Sequence, residues 1–241
     1  MKDLKDKVAL ITGGTQGIGY GIALSLMNEG MNVVITSRDE DKAIKAAAKL
    51  DKATTSKVKA HGIQADVRDL ESQQKAVKDV VEMFGQLDVV IANAGLGHFA
   101  SIEDLTAEQW KETIDTNLTG VFNSIKASVE ALKKTKGYYI TISSLAGTNF
   151  FEKGSAYNAS KFGVTGFTQS VMLDLRKHNI KVSTIMPGSV ATHFNGNEPS
   201  ESDAWKIQIE DIGELVVDLL KMNERTLPSK IEVRPTMPPN K

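Results

Sequence analysis

Short apolar runs of strand length alternate with helix-period segments along almost the whole chain. The first apolar run is Val8–Thr12, and Val89-Val90-Ile91 is one of several without a polar interruption. Such near-continuous Val and Ile runs are typical of strands that are buried on both faces in a parallel sheet. Strict alternation of strands and helices with right-handed crossovers predicts an α/β fold, a doubly wound parallel sheet with helices on both faces.

The predicted elements continue almost to the end of the chain, and nothing between them resembles a domain boundary. The predicted strands are Val8–Thr12, Asn32–Thr36, Lys57–Gln64, Leu87–Ala92, Tyr138–Ser143, Lys181–Met186 and Lys230–Arg234. The predicted helices are Gly17–Glu29, Asp39–Leu50, Leu70–Phe84, Asn117–Lys134, Ser155–His178 and Asp211–Lys221, with one further short helix between the fourth strand and Asn117. We therefore predict a single-domain Rossmann-type fold over residues 1–241, with a substrate loop at 193–209 and the ligand at the carboxyl ends of the strands.

A glycine-rich turn joins the first strand to the first helix. Glycines at 13, 17 and 19 permit a tight turn, close approach of the backbone to a pyrophosphate, and close packing of helix on strand. The helix N-terminus supplies unpaired N–H groups and a dipole that favours phosphate. Together with the strand that follows, the turn predicts a dinucleotide site that includes Gly13, Thr15, Gln16, Gly17, Ile18 and Gly19.

The residues after the second strand, Ser37-Arg38-Asp39, bear on the choice of nucleotide. An acid at that strand end would hold the ribose hydroxyls of NAD, whereas an arginine would pair with the 2′-phosphate of NADP. Arg38 therefore indicates NADP, and Asp39 is expected to cap the next helix. Asp66-Val67 and Asn93-Ala94-Gly95 end the third and fourth strands, beside the expected position of the adenosine.

A phenol and an ammonium group lie one helical turn apart at Tyr157 and Lys161, near the start of a predicted helix. We expect Lys161, the helix N-terminus and a bound nicotinamide to lower the pKa of Tyr157 from its ordinary value of about 10. Tyr157 could then exchange a proton with a carbonyl or alcohol oxygen. Ser144, at the end of the fifth strand, would hydrogen-bond to the same oxygen, and Ser143 is expected to be a turn hydroxyl.

The composition excludes several other classes of protein. With 29 basic and 30 acidic residues, the chain lacks the charge excess of a nucleic-acid or anionic-membrane binder. The absence of cysteine excludes disulfides and thiolate chemistry, and no acidic or histidine cluster has metal-ligand spacing, so we expect no metal site. The sequence contains neither a signal peptide nor an apolar run of membrane-spanning length, and we expect a soluble, cytoplasmic protein.

With these motifs in order, the chain resembles the short-chain dehydrogenase/reductase (SDR) family over nearly its whole length. Thr12-Gly13-x3-Gly17-Ile18-Gly19 and Asn93-Ala94-Gly95 match family motifs, although Ala92 stands where a second asparagine is frequent. Ser144, thirteen residues before Tyr157, has the family's serine spacing. The resemblance implies that Asn117 kinks the long helix and holds a water in a proton relay, and that Lys161 also binds the nicotinamide ribose. The implied catalytic set is Asn117, Ser144, Tyr157 and Lys161.

The same resemblance implies further cofactor contacts and an oligomer. The segment after the sixth strand, which would contact the nicotinamide carboxamide, contributes Pro187, Gly188, Val190 and Thr192. Arg38, preceded by Ser37 in place of an acid, resembles NADP-dependent members, whereas Gln16 stands where those members often carry a basic residue. A homodimer or homotetramer that uses the two long helices is implied as well.

These observations predict an NADP(H)-dependent oxidoreductase that transfers a hydride between nicotinamide and a small or medium ketone or aldehyde, or the secondary alcohol. The substrate wall is expected from Leu96–Phe99, Phe150-Phe151 and the loop after Thr192, which includes Phe194. His98 and His193 are expected to be incidental loop histidines. One alternative is a 3-oxoacyl-(acyl-carrier-protein) reductase, although the tail lacks that group's glycine-rich ending. Another is a non-catalytic NADP-binding sensor, against which the intact catalytic set argues.

Overall fold

The computed structural model describes residue 1 and residues 3–238, so the predicted domain is described except at residues 2 and 239–241. The strands of the described part are β1 (Val8–Thr12), β2 (Asn32–Ser37), β3 (Ala60–Gln64), β4 (Val89–Ala92), β5 (Tyr138–Ile142), β6 (Lys181–Pro187) and β7 (Lys230–Val233). Its α-helices are α1 (Gly17–Asn28), α2 (Glu40–Ala53), α3 (Leu70–Phe84), α4 (Ala107–Ile114), α5 (Gly120–Thr135), α6 (Ser155–Leu175) and α7 (Ile209–Lys221). Within these residues, no helix is both long and apolar enough to cross a membrane.

The strands form one sheet in the order β3-β2-β1-β4-β5-β6-β7, and every neighbouring pair is parallel. Ala9 of β1 lies opposite Val33 of β2 on one side and Val89 of β4 on the other. The strand order therefore reverses between β1 and β4. In an open α/β sheet, a crevice forms outside the carboxyl ends of the strands at such a switch point. The predicted doubly wound, Rossmann-type sheet is confirmed.

The central strands are apolar along their length because helices cover both faces of the sheet. Ala9 and Ile11 pack with α1, α2 and α7, whereas Val8 and Leu10 pack with α3, α5 and α6. All four side chains are buried. Since neither face of β1 meets water, its sequence shows no alternation of polar and apolar residues.

Several predicted boundaries differ from the observed ones by two or three residues, and the structure explains two of these differences. β3 begins at Ala60 and not at residue 57, because residues 55–57 form bends and the Ala60 N–H donates to the Asp51 carboxylate at 2.8 Å. The helix that was predicted to begin at Asn117 continues from α4 instead, through a π turn at Asp115–Thr119 that leads into α5. A π turn accommodates an extra residue within a continuous helix, so the polar segment around Asn117 is not a helix start.

Candidate active site

A cavity of about 600 Å³ opens over the switch point, at the carboxyl ends of the strands. Nearly every residue predicted to bind the cofactor lies in its wall, together with three of the four predicted catalytic residues. These wall residues are Gly13, Thr15, Gln16, Gly17, Ile18, Ser37, Arg38, Asp66, Val67, Asn93, Ala94, Gly95, Ser144, Tyr157, Lys161, Pro187, Gly188, Val190 and Thr192. Gly19 and Asn117 are outside the wall.

The wall also contains residues that the sequence motifs did not indicate. They are Thr36, Ala65, Thr116, Ile142 and Ser189. Asn197 and Lys206 also line the cavity, and both belong to the predicted substrate loop at 193–209. Thr36, Ala65 and Ile142 lie at or next to strand ends, so applying the strand-end rule to every strand would have found them. The hydroxyls of Thr36 and Thr116 are buried and have no hydrogen-bond partner within the described structure. A polar ligand in the cavity would satisfy them, since buried polar groups are normally paired.

The glycine turn between β1 and α1 leaves room for phosphate groups. Gly13 and Gly17 have φ values of 64° and 59°, a conformation that favours glycine. A Cβ atom on Gly13 would lie 2.9 Å from the Cα atom of Ala94, so no larger residue fits there. No side chain of the described residues caps the N-terminus of α1, and its first N–H groups are available to an anion. The turn therefore fits the pyrophosphate of a dinucleotide.

Asn93 connects this turn to β4. Its Nδ2 donates to the carbonyl oxygens of Thr12 and Gly13, both at 3.0 Å. The Thr12 hydroxyl accepts the backbone N–H groups of Asn93 and Ala94, both at 3.1 Å. A Cβ atom on Gly19 would come within 2.5 Å of the Asn93 amide nitrogen. Gly19 thus permits α1 to pack closely against the Asn93 side chain, and it does not line the cavity.

The nucleotide end of the cavity carries Arg38 and Asp66. The neighbouring Asp39 accepts the Lys42 N–H at 3.0 Å and caps α2, as predicted. Asp66 makes a two-pronged ion pair with Arg68, in which Oδ2 lies 2.6 Å from Nη2 and Oδ1 lies 3.0 Å from Nε. Hydrogen bonding to Arg68 holds the pKa of Asp66 below its ordinary value. Asp66 is therefore an ionised hydrogen-bond acceptor at this end of the cavity.

The other end of the cavity lies between β5 and the start of α6. The Lys161 ammonium nitrogen is 5.6 Å from the centroid of the Tyr157 ring. It is buried and donates to the carbonyl oxygen of Ile142 at 3.0 Å. Burial disfavours the charged form and lowers the pKa of Lys161 to about 8.

The pKa of Tyr157 shifts in the direction opposite to the one expected from the sequence. Burial raises the pKa of the phenol above its ordinary value, and hydrogen bonding with Ser144 opposes this only in part. The Lys161 ammonium lies 5.6 Å from the ring centroid and donates to the Ile142 carbonyl, and it does not reverse the shift. The lowering expected from Lys161 and the helix N-terminus is not found in the protein alone, in which burial keeps the Tyr157 phenol neutral.

The two serines at the end of β5 have different surroundings. Ser143 is buried, donates to the carbonyl oxygen of Lys161 at 3.1 Å, and lies 3.1 Å from the Thr165 hydroxyl. The Ser144 hydroxyl accepts the Ala146 N–H at 3.1 Å and lies in the cavity wall with Tyr157. Ser143 therefore attaches β5 to α6, whereas Ser144 is the serine beside the phenol.

Asn117 lies behind the cavity wall and connects two segments of it. Its Oδ1 accepts the Leu96 N–H at 2.9 Å, and its Nδ2 donates to the Leu96 carbonyl at 2.8 Å. The same Nδ2 donates to the Ser160 hydroxyl at 3.0 Å. Because Ser160 precedes Lys161 on α6, Asn117 links the loop after β4 to the helix that carries the phenol and the ammonium group.

Aromatic rings surround the phenol. The ring centroid of Phe99 is 5.4 Å from that of Tyr157, and the centroid of Phe194 is 5.8 Å from it. Phe151 follows at 5.9 Å from Phe99. Of the predicted aromatic residues, only Phe194 is part of the cavity wall, and Phe99 and Phe151 lie outside it beside the phenol. Phe150 is 87% exposed and makes no such contact, so its predicted place in the pocket is wrong. The space beside the reactive oxygen is therefore bounded mainly by apolar surface.

The chain is similar in sequence to known proteins over most of its length. A sequence model of the family described as short chain dehydrogenase matches residues 7–203. Over 217 residues, the chain is 39% identical to trans-4-hydroxycyclohexanecarboxylate dehydrogenase of Sinomonas cyclohexanicum. That alignment covers 86% of this chain and 84% of the relative.

Two solved structures have similar folds. An alcohol dehydrogenase from the archaeon Thermococcus sibiricus, complexed with 5-hydroxy-NADP, is 30% identical and superposes with a TM-score of 0.89, covering 98% of this chain and 99% of that one. A metagenomic short-chain oxidoreductase in complex with NADP is 31% identical, with a TM-score of 0.84, and the two chains are covered to 98% and 100%. The similarity thus includes the whole sheet and is not confined to the cavity.

Proposed function

The chain belongs to the short-chain dehydrogenase family, and from this premise we propose that it is an NADP(H)-dependent oxidoreductase of small or medium ketones and aldehydes, or of the secondary alcohols. The proposal is carried by one observation, that Tyr157, Lys161 and Ser144 share a cavity with the glycine turn and Arg38. A dinucleotide with its pyrophosphate at the turn would extend from Arg38 to Tyr157. When bound, NADPH supplies the hydride.

Tyr157 supplies the proton in the reduction. Burial keeps the phenol neutral, so it can donate its proton to the carbonyl oxygen as the carbonyl carbon receives the hydride. Ser144 donates a hydrogen bond to the same oxygen and holds it near the phenol. The Lys161 ammonium stabilises the phenolate that remains and can bind the ribose hydroxyls. Asn117 is a positioning residue, because it acts through Leu96 and Ser160.

The preference for NADP over NAD rests on Arg38. An arginine at the end of the second strand pairs with a 2′-phosphate, whereas an acid would hold the ribose hydroxyls of NAD. Arg38 lines the cavity, and Ser37 precedes it in place of an acid. The two structural relatives, which are described as complexes with 5-hydroxy-NADP and NADP, support the same choice.

The substrate in this proposal is compact and largely apolar. Phe99 and Phe194 flank Tyr157, and the loop 193–209 contributes Phe194, His193, Asn197 and Lys206 to the wall. The substrate named for the Sinomonas relative, trans-4-hydroxycyclohexanecarboxylate, has a secondary alcohol and a carboxylate on an apolar ring. It is therefore a suitable first test compound in the oxidative direction.

A homo-oligomer formed through the long helices is part of the proposal. Phe122 of α5 is 43% exposed, and Phe162 and Leu173 of α6 are 44% and 57% exposed. Phe162 and Leu173 are three turns apart and so lie on one face of α6. Exposed apolar side chains grouped in this way are typical of an interface. Sedimentation velocity measures the mass, and a monomer would contradict this point.

The expected cytoplasmic location stays a prediction.

Binding and turnover test the two halves of the proposal separately. Titration with NADPH and NADH, followed by nicotinamide fluorescence, measures both dissociation constants. A panel of ketones, aldehydes and acyl thioesters then measures turnover.

Tyr157→Phe should bind NADPH as the unchanged protein does and lose turnover by a factor of about 10² to 10⁴. Tyr20→Phe, on the half-buried face of α1, is the matched control and should keep both properties. Binding without turnover would favour the sensor alternative, and turnover of acyl thioesters alone would favour the 3-oxoacyl reductase alternative.

A further inference from the structure

Glu112 of α4 is a carboxylate beside the nucleotide end of the cavity that the proposed chemistry does not use. Its Oε1 lies 4.0 Å from Nη1 of Arg38, and its Oε2 lies 2.9 Å from Nε2 of His98. His98, which was expected to be an incidental loop histidine, therefore has Glu112 as a hydrogen-bond partner. The side chains of Arg38 and Glu112 are 57% and 37% exposed. Their ion pair is therefore in contact with water and weak, and another anion can replace Glu112 at Arg38.

Arg38 thus lies next to a carboxylate before any ligand binds. A 2′-phosphate at Arg38 would compete with Glu112 for the guanidinium group, and it would place a second negative group close to that carboxylate. Asp66 is the other carboxylate near Arg38, but its charge is balanced by the two-pronged pair with Arg68. The unfavourable contribution to phosphate binding at this site therefore comes chiefly from Glu112.

We propose that Glu112 limits the preference of this protein for NADP over NAD. The inference rests on the proposed function, because it requires a dinucleotide whose adenosine ribose lies at Arg38. NAD carries one uncharged hydroxyl in place of the 2′-phosphate, so it neither competes with Glu112 for Arg38 nor is repelled by the negative charge of Glu112. Glu112 is thus a residue that determines cofactor specificity, and its effect is opposite to that of Arg38.

The variant Glu112→Gln tests this, since it removes the charge and keeps the size of the side chain. We expect the dissociation constant for NADPH to fall by a factor of about 3 to 10, and that for NADH to change by less than about twofold, as for like charges at a partly exposed site. The gain should shrink at high salt, because exposed charges are screened. Nicotinamide fluorescence measures both constants.

Glu108→Gln is the matched control, because it removes the same charge one turn earlier on α4. It should leave both constants unchanged, and an equal gain in this control would overturn the proposal. Unchanged NADPH binding in Glu112→Gln would also overturn it, and weaker binding would mean that the carboxylate positions Arg38 for the phosphate. If the unchanged protein bound neither dinucleotide, the proposed function itself would fail, and this inference with it.

Discussion

Replacement of Lys161 by methionine should stabilise the cofactor-free protein while removing a group that the proposed chemistry needs. Lys161 is 5% exposed, and burial lowers its pKa from 10.5 to about 8. At about 1.4 kcal/mol for each pH unit, keeping the ammonium in the folded protein costs about 3 kcal/mol. Methionine fills similar space without a charge, so this cost disappears. Loss of the hydrogen bond to Ile142 offsets about 1 kcal/mol of the gain.

The difference between the two proteins should depend on pH in one direction. Below pH 8, Lys161 is protonated in both the folded and the unfolded chain, and the unchanged protein carries the full cost. Between pH 8 and 10.5, the folded protein binds fewer protons than the unfolded chain. The free energy of unfolding of the unchanged protein therefore rises with pH, by up to about 1.4 kcal/mol for each unit. The advantage of Lys161→Met should shrink over this range.

Urea unfolding without cofactor, at about pH 7 and about pH 9.5, measures this difference. At the lower pH the variant should be more stable by about 2 kcal/mol, which corresponds to a rise of about 4 to 8 °C in Tm for a chain of this size. Lys45→Met, at an exposed position on α2, is the control and should show no such pH dependence. The reasoning is refuted if Lys161→Met is the less stable protein near pH 7, or if its advantage is equal at both pH values.

Close contacts around the site support further predictions. Asn117→Ala should lower the free energy of unfolding by about 2 to 4 kcal/mol, because it removes two hydrogen bonds to Leu96 and one to Ser160. Urea unfolding measures this loss, and a value below about 1 kcal/mol would contradict the prediction. Gly21→Ala should destabilise by about 2 to 3 kcal/mol, since its methyl group would lie 2.5 Å from a backbone oxygen of α7. Gly166→Ala, with no atom within 4 Å, should instead stabilise α6 by about 0.5 to 1 kcal/mol. Equal effects of the two alanines on Tm would rule out the packing argument.

The sheet and the location of its ligand cavity could be predicted from local sequence patterns. A run such as Val89-Val90-Ile91 predicts a strand that is buried on both faces, because neither face of such a strand needs polar side chains. The glycine turn and Arg38 were placed by the rule that ligands lie at strand ends. The prediction failed at Asn117, where a polar segment resembles a helix start but forms a π turn inside a continuous helix.

The order of strands and helices, the parallel sheet and most side chains at its carboxyl edge follow from the amino-acid sequence alone. Three features depend on the folded chain: burial raises the pKa of Tyr157, Phe150 lies outside the cavity wall, and Glu112 lies 4.0 Å from Arg38. Secondary structure can be predicted from apolar residues that repeat every few positions, and this repeat is visible in the sequence. Burial and the distances between charges depend on how segments far apart in sequence pack together, and these quantities set the pKa of a phenol and the charge that a phosphate meets.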